Sequence, residues 1–185
     1  MVDEDEATGV LADLYKKIAG SRGGVANVMK VHSLNPRAME AHFDLYKVVQ
    51  FGRSPLSRKL REMIGTVVSA ANRCRYCVAH HSEPLRAYNV DDDLIDRLCA
   101  GEIPLDGMSD SEHALLTHCR NITREPVADE KAIESLRLKG WSDQAILDAT
   151  LVASYFNFVN RIVETLGVEL EKDFASTTGT TLLDN

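Results

Sequence analysis

The chain holds 185 residues, with 21 Lys and Arg against 28 Asp and Glu, a formal net charge of −7, four cysteines and five prolines. That length suits a single domain whose core needs neither disulfide staples nor a structural metal. The acidic balance argues against non-specific binding to nucleic acid or anionic membrane, since both need clustered Lys and Arg. The most apolar run, residues 145–163, is interrupted by Asp148, Ser154, Asn157, Asn160 and Arg161, so no bilayer span is expected. The opening Met1-Val2-Asp3-Glu4-Asp5-Glu6 is acidic where a secretory leader is basic and then apolar, and a cytoplasmic location is expected.

Hydrophobic periodicity predicts helices almost throughout and no strand. Residues 7–19 carry Val10, Leu11, Leu14, Tyr15 and Ile18 on one face, and Gly20, Gly23 and Gly24 end them. An irregular stretch is expected over 25–33. Asn35 then caps a helix that opens on Pro36 and runs to about residue 51, where Gly52-Arg53-Ser54-Pro55 breaks it. Further helices are predicted over 56–71, over 77–88 with Asn89 as C-cap, and over 92–100 behind Asp91. Ser109-Asp110-Ser111-Glu112 reads as a capping box for the next helix, and Pro126 separates that helix from one over 128–139. Ser142 caps a last long helix over 143–166 that stops at Gly167; it is apolar on most sides, as befits an element buried or covered by another subunit. Trp141 is expected to plug the corner before it. The expected fold is one all-α helical domain over residues 1–175, with about seven to nine helices, and a loose tail over 176–185.

In a reducing cytosol, cysteines seldom form static bridges. Cys99 and Cys119 sit among apolar neighbours and read as packing. Cys74-Arg75-Tyr76-Cys77 is different, because the Cys-x-x-Cys spacing suits redox chemistry or metal binding. His81 follows Cys77 by four residues, one helical turn along the same face. A helix start favours a thiolate, and an imidazole one turn on can take the thiol proton, which predicts Cys77 as a nucleophile of lowered pKa. Glu62 lies on the 56–71 helix, opposite its apolar stripe and in line with Thr66 and Ser69. A surface carboxylate is the ordinary expectation there. Twelve residues of straight helix span about 18 Å, so Glu62 reaches the cysteine region only if the chain reverses near 72–76. It then faces His81, and the trio repeats the nucleophile–base–orienter arrangement of catalytic triads.

Glu62, eleven residues, Cys74-x-x-Cys77, three residues, His81 resembles the core motif of the AhpD-like alkylhydroperoxidases of the carboxymuconolactone decarboxylase superfamily. Val25-Ala26-Asn27-Val28-Met29-Lys30, Ser54-Pro55-Leu56-Ser57, Arg61-Glu62-Met63-Ile64, Asn72-Arg73-Cys74-Arg75-Tyr76-Cys77 and Asn157-Phe158-Val159-Asn160-Arg161 resemble its peroxidase-related branch. The resemblance spans roughly residues 7–171. It implies an all-helical homo-oligomer, a trimer or hexamer with a dimer also open, that reduces hydrogen peroxide or an organic hydroperoxide without a bound cofactor or metal. In that scheme Glu62 and His81 relay the proton from Cys77, whose thiolate attacks the peroxide and becomes a sulfenic acid. Cys74 then condenses with it to a disulfide, and an external dithiol such as dihydrolipoamide, free or on a lipoylated protein, resets the pair.

Other readings stand beside this one. A zinc site built on Cys74, Cys77 and His81 lacks an evident fourth ligand. Haem attachment needs His directly after the second Cys, where Val78 stands. The same thiols also suit a disulfide oxidoreductase or redox sensor with little peroxidase turnover. Glu62 and His81 alone suit acid–base chemistry of the decarboxylase kind, although that branch typically lacks the cysteine pair. His80 is expected to flank the site or face solvent, and Tyr76 to pack over the cysteines. His32, His42, His113 and His118 share no ligand spacing, and Tyr155, Phe156 and Phe158 read as core or subunit interface.

Overall fold

The computed structural model describes residues 1–20, 24–127, 129–172 and 174; the expected tail over 176–185 lies outside them. Among the described residues there are nine α-helices and no strand. These are α1 (Gly9–Ala19), α2 (Asn27–Lys30), α3 (Pro36–Tyr46), α4 (Arg58–Ala71), α5 (Arg75–Ser82), α6 (Asp92–Cys99), α7 (Asp110–Arg124), α8 (Glu130–Leu138) and α9 (Asp143–Leu166). No helix among them is long and apolar enough to cross a membrane.

Local chemistry sets most helix starts. Side chains of Asn35, Ser57, Asp91, Ser109, Asp129 and Ser142 each accept a backbone N–H from the first turn that follows. Both halves of the Ser109–Glu112 capping box are formed. Asn89 and Gly167 take left-handed conformations, φ 55° and 61°, at the ends where the sequence places them. Trp141 is half-buried at its corner, where its indole N–H donates to Ser111 O at 2.9 Å.

Three segments depart from expectation. Residues 25–33 are not wholly irregular, because one helical turn, α2, forms in them. The helix opened by Pro36 does not stay α-helical to residue 51: it widens into a π turn over Lys47–Phe51. A π turn needs partners for its displaced carbonyls, and arginines of α4 supply them. Arg58 donates to Gln50 O at 2.6 Å, and Arg61 donates to Val49 O at 3.3 Å and Gly52 O at 2.9 Å. The cysteine helix also begins earlier than predicted. Cys74 is its N-cap and Cys77 its third residue, and it passes into a 3-10 turn over Glu83–Tyr88, with Pro84 near its start.

Helix α4 is the hub, packed against α5, α6, α7 and α9. Its apolar stripe of Leu60, Met63, Ile64, Val67 and Val68 joins Leu115, Leu116, Ala149, Phe156 and others in the main core. A smaller core gathers Leu14, Tyr15, Val25, Met29 and Met39 from α1, α3 and the 24–33 segment. Val28 and Tyr46 pack against both.

Candidate active site

The site depends on how sharply the chain reverses after α4. Arg73 adopts φ 60°, its N–H reaches Ala70 O at 3.0 Å, and Cys74 N–H reaches Ser69 O at 2.9 Å. These are the two bonds of a Schellman helix end. Cys74 therefore both closes α4 and caps α5, and residues 72–74 suffice to turn the chain. The two helices then lie side by side, and Glu62 meets His81.

Glu62 is 1 % exposed, so the surface reading of this carboxylate fails. Its Oε2 lies 2.7 Å from His81 Nδ1 and accepts Gln50 Nε2 at 3.3 Å, while Arg58 Nη2 donates to Oε1. Burial alone would raise its pKa, but His81 and Arg58 outweigh that and hold it below the usual carboxylate range. Thr66 and Ser69, in line with Glu62, are equally buried. Thr66 Oγ1 donates to Glu62 O at 3.0 Å. Ser69 Oγ accepts from Asn160 Nδ2 at 3.1 Å, and Asn160 Oδ1 accepts from Asn72 Nδ2 at 2.9 Å. The polar face of α4 is thus an interior network shared with α9.

A carboxylate on Nδ1 leaves Nε2 of His81 for proton exchange. The ring is held edge-on by Phe156, centroids 4.4 Å apart. Both residues press on Gly65: a Cβ there would sit 2.7 Å from the Phe156 ring and 3.3 Å from the His81 ring. An isolated glycine inside a strong helical pattern is the one sequence signal that could have marked this contact.

Cys74 and Cys77 are both free thiols and almost fully buried. The lowered pKa expected for Cys77 is not what the surroundings produce. Its hydrogen bond with Cys74 and its burial both push the Cys77 thiol up, and Asn160 opposes them only weakly. Cys74 stands at the N-cap of α5 and Cys77 in its first turn.

A cavity of about 270 Å³ lies between the two cores. Cys77, Glu62, His81 and Arg58 line it together with Val28, Phe43, Tyr46, Tyr155 and Phe156. Cys74 does not line it. Among the described residues, no group of three or more His, Cys, Asp or Glu side chains is placed to hold a metal ion.

Tyr76 and His80 belong to a second cluster on α5. Tyr76 is packed, as expected, but its hydroxyl is committed: it donates to Glu171 Oε1 at 2.8 Å and accepts Val28 N–H at 3.2 Å. His80 flanks the site with Nε2 2.8 Å from Glu171 Oε2. Burial would raise the pKa of Glu171, but His80 and the Asn27 N–H pull it down to about 2. Sequence reasoning missed Arg58, Gln50 and Glu171. Arg58 was legible as an i, i+4 partner of Glu62; nothing in the sequence ties Glu171 to residues 27, 76 and 80.

The carboxymuconolactone decarboxylase family model matches residues 36–117, which hold Glu62, both motif cysteines and His81. The fold is similar to that of a peroxidase-related protein from Silicibacter sp. TM1040, with TM-score 0.80, 27% identity, and 88% of this chain and 85% of that one covered. Residues 36–117 thus match the carboxymuconolactone decarboxylase family, and the fold is similar to that of peroxidase-related proteins. A peroxidase-related AhpD-core protein from Ralstonia eutropha JMP134 shares the fold at TM-score 0.81 and 24% identity, over 94% of this chain and 95% of that one. The debrominase Bmp8, solved with 2,3,4-tribromopyrrole, shares it at TM-score 0.73 and 18% identity, over 90% and 88%. No curated protein matches the chain.

Proposed function

We propose that this protein is a thiol-dependent peroxidase that reduces an organic hydroperoxide. The observation that carries the reading is the shared cavity, which Cys77 and His81 both line while His81 is held 2.7 Å from a buried, ionised Glu62. Its volume lies below the roughly 300–1,000 Å³ of sites for drug-sized ligands, and its walls are largely apolar with several Phe and Tyr rings, which favours a small organic hydroperoxide over hydrogen peroxide.

The chemistry runs in three steps. His81 takes the Cys77 proton, the thiolate attacks the outer oxygen of ROOH, and the O–O bond breaks to give Cys77–SOH and, once the alkoxide is protonated, ROH. The Cys74 thiol then attacks the sulfenic sulfur, forming the Cys74–Cys77 disulfide and releasing water. A dithiol of the dihydrolipoamide class, free or carried on a lipoylated protein, restores both thiols and leaves as its own disulfide. Both electrons come from the cysteine pair, so no bound cofactor is required. The proposed compartment is the cytoplasm, where such a pair is kept reduced.

Leu147, Leu151 and Phe158 are exposed on one side of α9 at helical spacing, which supports a homo-oligomer, trimeric, hexameric or dimeric. Light scattering is expected to give a multiple of the 20.5 kDa chain mass.

Turnover tests the reading. With excess dihydrolipoamide, the protein is expected to consume many equivalents of cumene hydroperoxide, and Cys77→Ser none. Consumption of a single equivalent would mark a sensor. Acid–base activity on a lactone that survives replacement of both cysteines would mark a decarboxylase-like enzyme.

A further inference from the structure

Tyr155 lines the same cavity as Cys77, and its hydroxyl lies 2.8 Å from His42 Nε2. His42 is 4 % exposed, and burial, then the neighbouring His32, push its pKa down to about 4, so it is neutral near pH 7. A neutral imidazole carries one proton, and His42 Nδ1 is buried with no hydrogen-bond partner among the described residues. Were that proton on Nδ1, a buried N–H would be orphaned, which folded proteins rarely tolerate; a bare lone pair is the milder defect. The proton therefore belongs on Nε2, which donates to the Tyr155 oxygen. The phenolic hydrogen of Tyr155 is then free to point away from His42, toward the cavity it lines.

Resting on the peroxidase reading above, we propose that Tyr155, held by His42, donates a hydrogen bond to the leaving oxygen of the hydroperoxide as the O–O bond breaks. Attack by the Cys77 thiolate puts the bond's electron pair on the alkoxide RO⁻. Sulfur is oxidised by two electrons and the peroxide is reduced by two. The proton taken from the thiol by His81 ends on RO⁻ to give ROH. Tyr155 stabilises that negative charge before the proton arrives, as an oxyanion-hole donor does, and remains protonated itself. Burial, with smaller contributions from Tyr46 and Cys77, raises the Tyr155 phenol and suits it to donate a hydrogen bond without surrendering the proton. His42 is a positioning residue: it fixes the direction of the phenol and does not line the cavity.

Leaving-group dependence separates this role from a structural one. Single-turnover oxidation of the reduced protein is measured with tert-butyl hydroperoxide, whose alkoxide leaves poorly, and with peracetic acid, whose carboxylate needs little help. Tyr155→Phe is expected to slow the first reaction about 100-fold, the size of a lost oxyanion donor, and the second by less than about threefold. Alkylation of Cys77 by iodoacetamide should be unchanged. His42→Leu should reproduce the selective loss, and His42→Gln, whose amide can donate the same bond, should restore most of the rate. Equal losses with both oxidants, or no loss, would overturn the proposal. So would finding His42 as the Nδ1–H tautomer by nitrogen-15 NMR of the wild type, which requires no variant to fold. A wild type that neither oxidant oxidises would bring down the peroxidase reading itself, and this inference with it.

Discussion

Glu62 receives Arg58, Gln50 and His81 while almost wholly out of water, and that explains why it stays charged: three donors replace its hydration. Glu62→Gln removes the charge that orients His81. It is expected to lower the single-turnover rate with hydroperoxide about 100-fold, the scale of a general base, and to lower stability by about 3 kcal/mol because Arg58 loses its buried partner. Stopped-flow oxidation and urea denaturation check the two effects separately. Cys77 behaves in the opposite way to Glu62. Its neighbours favour the neutral form, so at rest it is a thiol; in the proposed mechanism the thiolate forms as His81 removes the proton. A raised thiol pKa means that the thiolate fraction, and with it the rate of alkylation by iodoacetamide, should still be climbing at pH 9. A plateau near pH 7 would show that the resting residue is a thiolate.

Helix α4 is where the elements constrain one another most. Its Glu62, Thr66 and Ser69 form a polar seam against α5 and α9, its apolar residues fill the main core, and Gly65 lets Phe156 and His81 approach its backbone. Gly65→Ala would gain about 1 kcal/mol of helix propensity on an open surface. Here the new methyl meets a ring that is 0 % exposed, so a net loss of about 1–3 kcal/mol is expected by urea denaturation. Displacement of His81 should also cut turnover at temperatures where the variant is fully folded. Unchanged stability with unchanged turnover would refute this account of the glycine. The capped starts at Asn35, Asp91, Ser109 and Ser142 could be read from sequence because a cap is settled within four residues. The π turn over Lys47–Phe51 could not, since the groups that satisfy it are Arg58 and Arg61 of the following helix. The spacing of Glu62, Cys74, Cys77 and His81 marked the site, whereas the interior placement of the polar face of α4 depends on Asn160, some ninety residues on. The cavity wall from α3 and the 24–33 segment is likewise long-range and left no local trace.

At the scale of the whole molecule, Glu171 ties the segment after α9 to α5 and to the start of α2. It accepts from Tyr76, from His80 and from the Asn27 N–H, and Asn27 Nδ2 reaches Glu169 O at 3.0 Å. The start of α2 and the segment after α9 thereby meet at Tyr76 and His80 of the cysteine helix. Glu171 has a folded pKa of about 2 against an ordinary 4.5. A depressed carboxylate contributes its stability above the unfolded value and loses it as the pH falls toward the folded one. Wild-type stability should therefore decline between pH 4.5 and 2, and Glu171→Gln should decline less steeply over that window while starting lower at pH 7. Parallel curves in acid titration of the two proteins would mean that this contact does not link the segments.

Cys77 lines the cavity and Cys74 does not, so in the proposed peroxidase Cys77 meets the oxidant and Cys74 resolves it. One measurement addresses this directly: mass mapping of reduced wild type, Cys74→Ser and Cys77→Ser after one equivalent of cumene hydroperoxide with dimedone present. The expected result is a Cys74–Cys77 disulfide in the wild type, a dimedone adduct on Cys77 in Cys74→Ser, and no adduct in Cys77→Ser. An adduct on Cys74 in Cys77→Ser, with Cys77 left reduced in Cys74→Ser, would reverse the two roles and contradict the account.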